Sequence, residues 1–443
     1  MDGRELLARL KRLSEIEDPG KDIHGLTYAQ FPGTHCPLMG AAMAIRGIRG
    51  AYMMIVGTDE CSYYTKHMTI HSEDWGGLTG RCVSVTIDQH DVTFGCAKKT
   101  EEAFAELLSE VTPEAVYIVT TCVPEIIGDD FDAIADNLAE QYKIPVMAVH
   151  TEHFKCENHM PGVERAITAS FRIMEEQPKG NTVNVIGQRM GRFEDTELSR
   201  MLRLAGVNIG AQLPSGCSVE DIRKAPAAKV NIVVNDIGLP LARKMKARFG
   251  TPYVWFDKFT DPKHIEEAYT RLFESLQIPM PKELDALRET AENAVASAKK
   301  DLQGVPFIYG NTPFRCLETC AFMASVGMVP QLIQCHGISE DDARDVETIR
   351  KTADPYITQV ANIAPLQYIY DELKPKLYLG HEYAARLRKK GIAIVHTDGG
   401  GSLLGYEVTP YFLQQLRAAK QEADAMETDA PEADATTGKE AMR

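Results

Sequence analysis

The chain has 443 residues, 44% hydrophobic and 25% charged, the balance of a globular protein able to bury large cores without disulfides. With 63 acidic against 48 basic residues its formal charge is −15, which excludes a general nucleic-acid-binding surface, because that needs a basic face to displace counterions. No stretch approaches the roughly 20 apolar residues of a membrane span, and the charged start, residues 1–22, has no signal-peptide core, so a soluble cytoplasmic protein is expected. After an N-terminal helical arm (1–27), the apolar runs Tyr52–Gly57, Ala115–Cys122 and Val146–Thr151 read as buried strands. Between the last two, Phe131, Ile134, Ala135 and Leu138 mark one face of a helix over Asp129–Tyr142, which makes a βαβ crossover. A second group of runs is Thr182–Gly187, Lys229–Asn235 and Tyr253–Asp257. A helix-rich stretch, Pro281–Leu302, leads to a third: Pro306–Gly310, Gln331–Cys335, Leu377–Gly380 and Ile392–His396. The fold class is therefore α/β: three Rossmann-like domains (28–180, 181–303 and 304–419) with mostly parallel sheets, followed by an acidic tail (420–443) too poor in apolar residues to order itself.

Ten cysteines in such a chain need an explanation other than disulfides, and six lie in the first 160 residues. Taken singly, most are small buried hydrophobes. Three stand out by position. Cys61 follows the first strand, Cys122 ends the second, and Cys36 lies in a Pro- and Gly-rich loop before a small-residue helix. Ligands of α/β sheets bind beyond the carboxyl ends of the strands, where these thiols can converge. Zinc sites use close Cys pairs, whereas this trio is widely spread in the chain. Spread thiolates suit a polynuclear cluster in which each sulfur takes a different iron, and three leave a four-iron cluster one ligand short.

The segments from Cys36 to Tyr64 and from Thr120 to Ile134 resemble the cluster-binding framework of the nitrogenase component 1 proteins and nitrogenase-like reductases. Thr120-Thr121-Cys122 followed by Glu125-Ile126-Ile127-Gly128-Asp129-Asp130 is the most specific piece. The resemblance continues through 148–154, 184–207, 218–234, 329–337 and 373–383, and so covers the chain from about Tyr28 to Leu416. It implies three Rossmann-like domains and an Fe–S cluster at a subunit interface, an [8Fe-7S] P-cluster type or a [4Fe-4S], held here by Cys36, Cys61 and Cys122. The family's α-type (D) chain binds an active-site cofactor through a Cys in the middle domain and a His in the last. Here Asn235 or Asp236 and Leu404 stand at those places, so the resemblance implies a β-type (K) subunit with no cofactor of its own. Its implied partners are an α-type subunit in an α2β2 heterotetramer and an ATP-dependent homodimeric Fe–S reductase. The chain's lack of a Walker lysine motif agrees, since ATP chemistry then belongs to another protein.

Two departures point to a nitrogenase-like branch, with methylthio-alkane reductase the favoured member. His153 stands where some nitrogenase β chains place an extra serine ligand, and only about 35 residues precede Cys36. His153 is open as a ligand, a proton relay or a packed residue, and Cys156 is a second candidate beside the cluster. A cofactor-assembly scaffold and a protochlorophyllide-type tetrapyrrole reductase are the alternatives. Glu125, Asp129 and Asp130 are expected to cap the helix after Cys122 and to hold its loop. Cys316 and Cys320 share a helix face and read as core, and the Gly399–Gly401 run reads as a tight turn in preference to a phosphate cradle.

Overall fold

The computed structural model describes residues 2–26, 36–70, 78–156, 158–359 and 363–428, without the side chains of 66–70 and 363–365. In chain order the short strands β1 (Lys11–Arg12) and β2 (Ile48–Arg49) precede β3 (Ala51–Gly57), β4 (Cys82–Thr86), β5 (Ala115–Thr120) and β6 (Val146–His150). The last four form an all-parallel sheet in the order β4-β3-β5-β6. Next come β7 (Thr182–Gln188), β8 (Asn208–Pro214), β9 (Cys217–Ser218), β10 (Val230–Val233) and β11 (Tyr253–Trp255). Here β11-β10-β7-β8 make a second parallel sheet, and β9 pairs with β2. Then β12 (Pro306–Tyr309), β13 (Val329–Gln334), β14 (Tyr356–Thr358), β15 (Leu377–Leu379) and β16 (Ala393–Val395) build the third sheet, ordered β1-β14-β13-β12-β15-β16, parallel except for β1.

β3 and β5 are almost wholly apolar because both faces of their sheet are covered. Along β3 and β5, Met53, Ile55, Tyr117 and Val119 join one core. Their neighbours Met54, Val56, Val116 and Ile118 point the other way into a second core with Phe104, Phe131 and Leu138. The helix Phe131–Tyr142 buries Phe131, Ile134, Ala135 and Leu138, the face read from the sequence, and Asp130 caps it by accepting from the Ala133 amide at 2.9 Å.

The chain resolves into two compact units. Gly33–Asp257 with Ala268–Pro281 holds the first and second sheets, and Met1–Pro32, Lys258–Glu267 and Lys282–Arg443 hold the third. The N-terminal segment contributes β1 to the third sheet as well as the helix Gly3–Leu7. The expected tail needs a correction at its start: Lys420–Thr428 continues the helix Val408–Thr428. Ala423 is fully buried there, and Asp424 bridges Lys376 at 2.5 Å and Lys420 at 2.6 Å. The rest of the tail lies outside the described residues. Among the described residues no helix is long and apolar enough to cross a membrane.

Candidate metal centre at the carboxyl edge of the first sheet

Each of the three cysteines begins a helix at this edge. Cys36 is the N-cap of the helix Pro37–Ile45; the Met39 amide donates to its carbonyl at 3.0 Å, and the Leu38 and Met39 amides lie close enough to its sulfur to favour the thiolate. Cys61 lies in the first turn of the helix Asp59–Ile70, which leaves β3, with the Thr58 hydroxyl 3.8 Å from its Sγ. Cys122 opens the helix Cys122–Ile127 directly after β5, and its Sγ accepts the His153 amide at 3.3 Å. The Ala115–Cys122 run therefore ends as a strand at Thr120, and the cysteine belongs to the following helix. Helix N-termini favour a thiolate because unpaired amides and the helix dipole face the sulfur.

All three are free and half-buried. Burial pushes the Cys36 thiol up, the neighbouring Leu38 and Met39 amides oppose that, and nearby Cys61 and Cys122 raise it further. That mutual influence brings the three sulfurs into one neighbourhood. Among the described residues no three His, Cys, Asp or Glu side chains close around a single ion, so the trio is not a mononuclear site as it stands. Gly40 and Gly162 fix Cys36 in place. A Cβ on Gly40 would strike the His159 carbonyl and one on Gly162 the Pro37 carbonyl, so the helices Pro37–Ile45 and Met160–Ala169 meet backbone to backbone.

The β6 side carries the secondary candidates. The His153 ring is exposed in the short turn His153–Lys155, and its amide, not its ring, is what reaches Cys122. The packed-residue reading of His153 thus gives way to an exposed one. Cys156 is half-buried; burial raises its thiol, Arg165 opposes that, and Cys122 is close enough to contribute. Glu125 departs from the expected capping role. Its carboxylate turns back to His150 Nδ1 at 2.7 Å and takes the Thr120 hydroxyl, while Asp130 caps the next helix and Asp129 accepts the Cys96 amide at 2.6 Å. The neighbouring Thr121 Oγ1 is buried without a partner among the described residues. Sequence reasoning missed His150 and Arg165, which no local motif marks.

Large apolar side chains stand exposed on the segments after all four strands: Tyr63, Phe94, Ile126 and Phe154. The other sequence candidates lie elsewhere. Asn235 caps a short turn by accepting the Ile237 amide, Asp236 is exposed, and Leu404 is fully buried. The glycine run is filled from within: the Gly399 and Gly400 amides face the Tyr411 hydroxyl, and a Cβ on Gly400 would strike Phe314. Cys316 and Cys320 do share a helix face, and Cys335 joins them from the end of β13.

Comparison with known proteins shows the family of the chain. The chain is 28% identical over 223 residues to the nitrogenase iron-molybdenum cofactor biosynthesis protein NifE of Clostridium pasteurianum, 49% of each chain. It is 23% identical over 347 residues to a nitrogenase molybdenum-iron protein beta chain of Nostoc sp., 72% of this chain and 66% of that one. It is 22% identical over 246 residues to a light-independent protochlorophyllide reductase chain of Nostoc punctiforme, 52% of this chain and 47% of that one. The chain spans about half the length of these curated relatives, two thirds for the beta chain. The solved structure of nitrogenase Cp1 at pH 6.5 superposes with a TM-score of 0.76 over 93% of this chain and 97% of that one, at 14% identity, a likeness of fold alone. The family model for nitrogenase component 1 type oxidoreductases matches residues 36–419, from the first of the three cysteines to the last helix, and the chain belongs to that family.

Proposed function

We propose that the chain is the β-type, electron-transferring subunit of a nitrogenase-like reductase and holds half of an interface Fe–S cluster through Cys36, Cys61 and Cys122. The observation that carries this reading is the gathering of three free, half-buried thiols from three separate segments, with the His153 amide donating to the Cys122 sulfur at 3.3 Å. That donor set fits an iron–sulfur group. The sulfurs sit at helix starts that favour thiolate, and the buried Thr121 hydroxyl beside Cys122 is a donor still without an acceptor. When bound, such a group stores and relays electrons. The chain's own residues hold the thiolates, donate hydrogen bonds to them and limit water.

Three thiolates cannot close a cluster of four or more irons, so an α-type partner supplies the rest, and the cluster is an [8Fe-7S] P-cluster type or a shared [4Fe-4S]. Exposed Tyr63, Phe94, Ile126 and Phe154 form the kind of apolar surface that assembly covers. The capping Asn235 and buried Leu404 leave this chain without cofactor ligands at those places, which assigns the reduction chemistry to the partner in an α2β2 heterotetramer. A cluster held by Cys36, Cys61 and Cys122 would supply an electron relay between an ATP-dependent homodimeric Fe–S reductase and the partner's active site. The favoured reaction is reductive cleavage of the carbon–sulfur bond of a methylthio-alkane.

The likeness to a cofactor biosynthesis protein favours one second reading, an assembly scaffold without turnover, and the likeness to protochlorophyllide reductase favours another, a tetrapyrrole reductase. The test is anaerobic co-purification with the α-type partner, followed by incubation with the ATP-dependent reductase and a methylthio-alkane. Thiol release supports the proposal. A cluster-loaded complex that releases none and hands its metal group to another protein supports the scaffold, and an extractable coloured tetrapyrrole supports the third reading.

A further inference from the structure

We propose that Glu125 and His150 are a positioning pair for the Cys122 loop, setting the hydrogen bond that Cys122 Sγ receives and thereby the potential of the cluster it helps to hold. This rests on the function proposed above. The geometry is a closed circuit. Cys122 opens its short helix, and Glu125 lies one turn further along it. The Glu125 carboxylate takes His150 Nδ1 at 2.7 Å and the Thr120 hydroxyl, while His150 Nε2 reaches Asp132 on the next helix at 3.2 Å. His150 ends β6, and the chain continues through Thr151, whose hydroxyl donates to the Thr120 carbonyl at 2.5 Å. Arg165 then holds both the His150 carbonyl and Glu152 at 2.8 Å, and Lys155 reaches Glu152 at 3.3 Å. One residue on, the His153 amide returns to Cys122 Sγ at 3.3 Å.

The pair therefore ties the start of the Cys122 helix to the strand that delivers the donor. An N–H directed at a ligand thiolate stabilises the more negative, reduced state of a cluster, so a slack donor lowers the potential. Neither side chain touches iron in this scheme. Each acts through the loop. The His150 imidazolium is held to about 9, chiefly by its hydrogen bond to Glu125, so the pair is ionic at neutral pH.

The test uses the anaerobically purified complex of this chain with its α-type partner. Iron content, midpoint potential and EPR spectrum are compared for the wild type, Glu125→Ala, His150→Ala, His150→Asn and Asp129→Ala. Asp129→Ala is the structural control, because it breaks the 2.6 Å bond to the Cys96 amide outside the circuit. The expected result is iron retained, with a lowered potential and altered EPR line shape in Glu125→Ala and His150→Ala. His150→Asn, which keeps an N–H for Glu125, should recover toward wild type, and Asp129→Ala should not move. Unchanged potential and spectrum in Glu125→Ala and His150→Ala, or an equal shift in Asp129→Ala, would overturn the positioning role while leaving the proposed function standing. A wild-type complex without iron–sulfur signals would overturn both.

Discussion

Two cysteine triplets stand at the carboxyl edges of mostly parallel sheets in this chain, and their surroundings differ. Cys36, Cys61 and Cys122 come from three separate segments and are half-buried, and Cys122 receives the His153 amide. Cys316, Cys320 and Cys335 gather at the ends of β12 and β13, where Cys320 and Cys335 are part of the core beside the third sheet. There the Cys316 thiol is held up by its hydrogen bond with Cys320 and by burial, and it donates to the Gln334 carbonyl at 3.5 Å. Burial outweighs the Gly337 amide and holds the Cys335 thiol well above its ordinary range. Topology alone does not make a metal centre. What separates the triplets is depth and spread: Cys320 and Cys335 are sealed in the core, whereas Cys36, Cys61 and Cys122 stay partly accessible on three separate segments.

The largest effect that would break this comparison is metal loss on the wrong side. Alanine at Cys36, Cys61 or Cys122 should strip most of the iron from the purified complex. Alanine at Cys316, Cys320 or Cys335 should leave iron unchanged and cost only about 1 kcal/mol, read by urea titration. Next, Ile126→Asp places a charge on the exposed apolar surface beside the first triplet and should weaken assembly with the partner about tenfold, measured by co-purification yield. A smaller effect concerns pH. The folded His150 pKa of about 9 lies above its ordinary 6.5, so its stabilising contribution is complete below pH 6.5 and is lost as pH rises through 9. The urea midpoint should therefore fall over that window in wild type and stay flatter in His150→Ala. Smallest is Asp424→Asn, which removes exposed bridges to Lys376 and Lys420 and should cost about 0.5 kcal/mol or less.

Much of this was legible in the sequence for a definite reason. β3 and β5 are covered on both faces, so they appear as nearly unbroken apolar runs between turn residues, and β7 reads the same way around one buried, hydrogen-bonded Asn184. β4 was not legible because it is partly exposed and carries Ser84 and Thr86. β8 contains Gly210 and ends at Pro214, and β14 is only three residues long. Of the candidate site, the cysteines stood out because each lies beside a turn signal. The circuit behind Cys122 did not, since Glu125, His150 and Arg165 meet only after β5 and β6 pair. Glu125 read as a cap from its place in the chain, but His150 across the sheet edge offers it a charge-assisted partner, and Asp130 fills the cap instead. Cys335 likewise lies on another element than Cys316 and Cys320, and the packing of their helix on the third sheet brings it to them.

The most direct test of the half-site is to purify this chain anaerobically, alone and with its α-type partner, and to compare oligomeric state, iron content and EPR. The account predicts little iron in the lone chain and a heterotetramer with a full cluster when the partner is present. A lone monomer carrying a complete cluster, able to reduce substrate with a chemical reductant, would contradict both the shared ligation and the division of labour between the two chains.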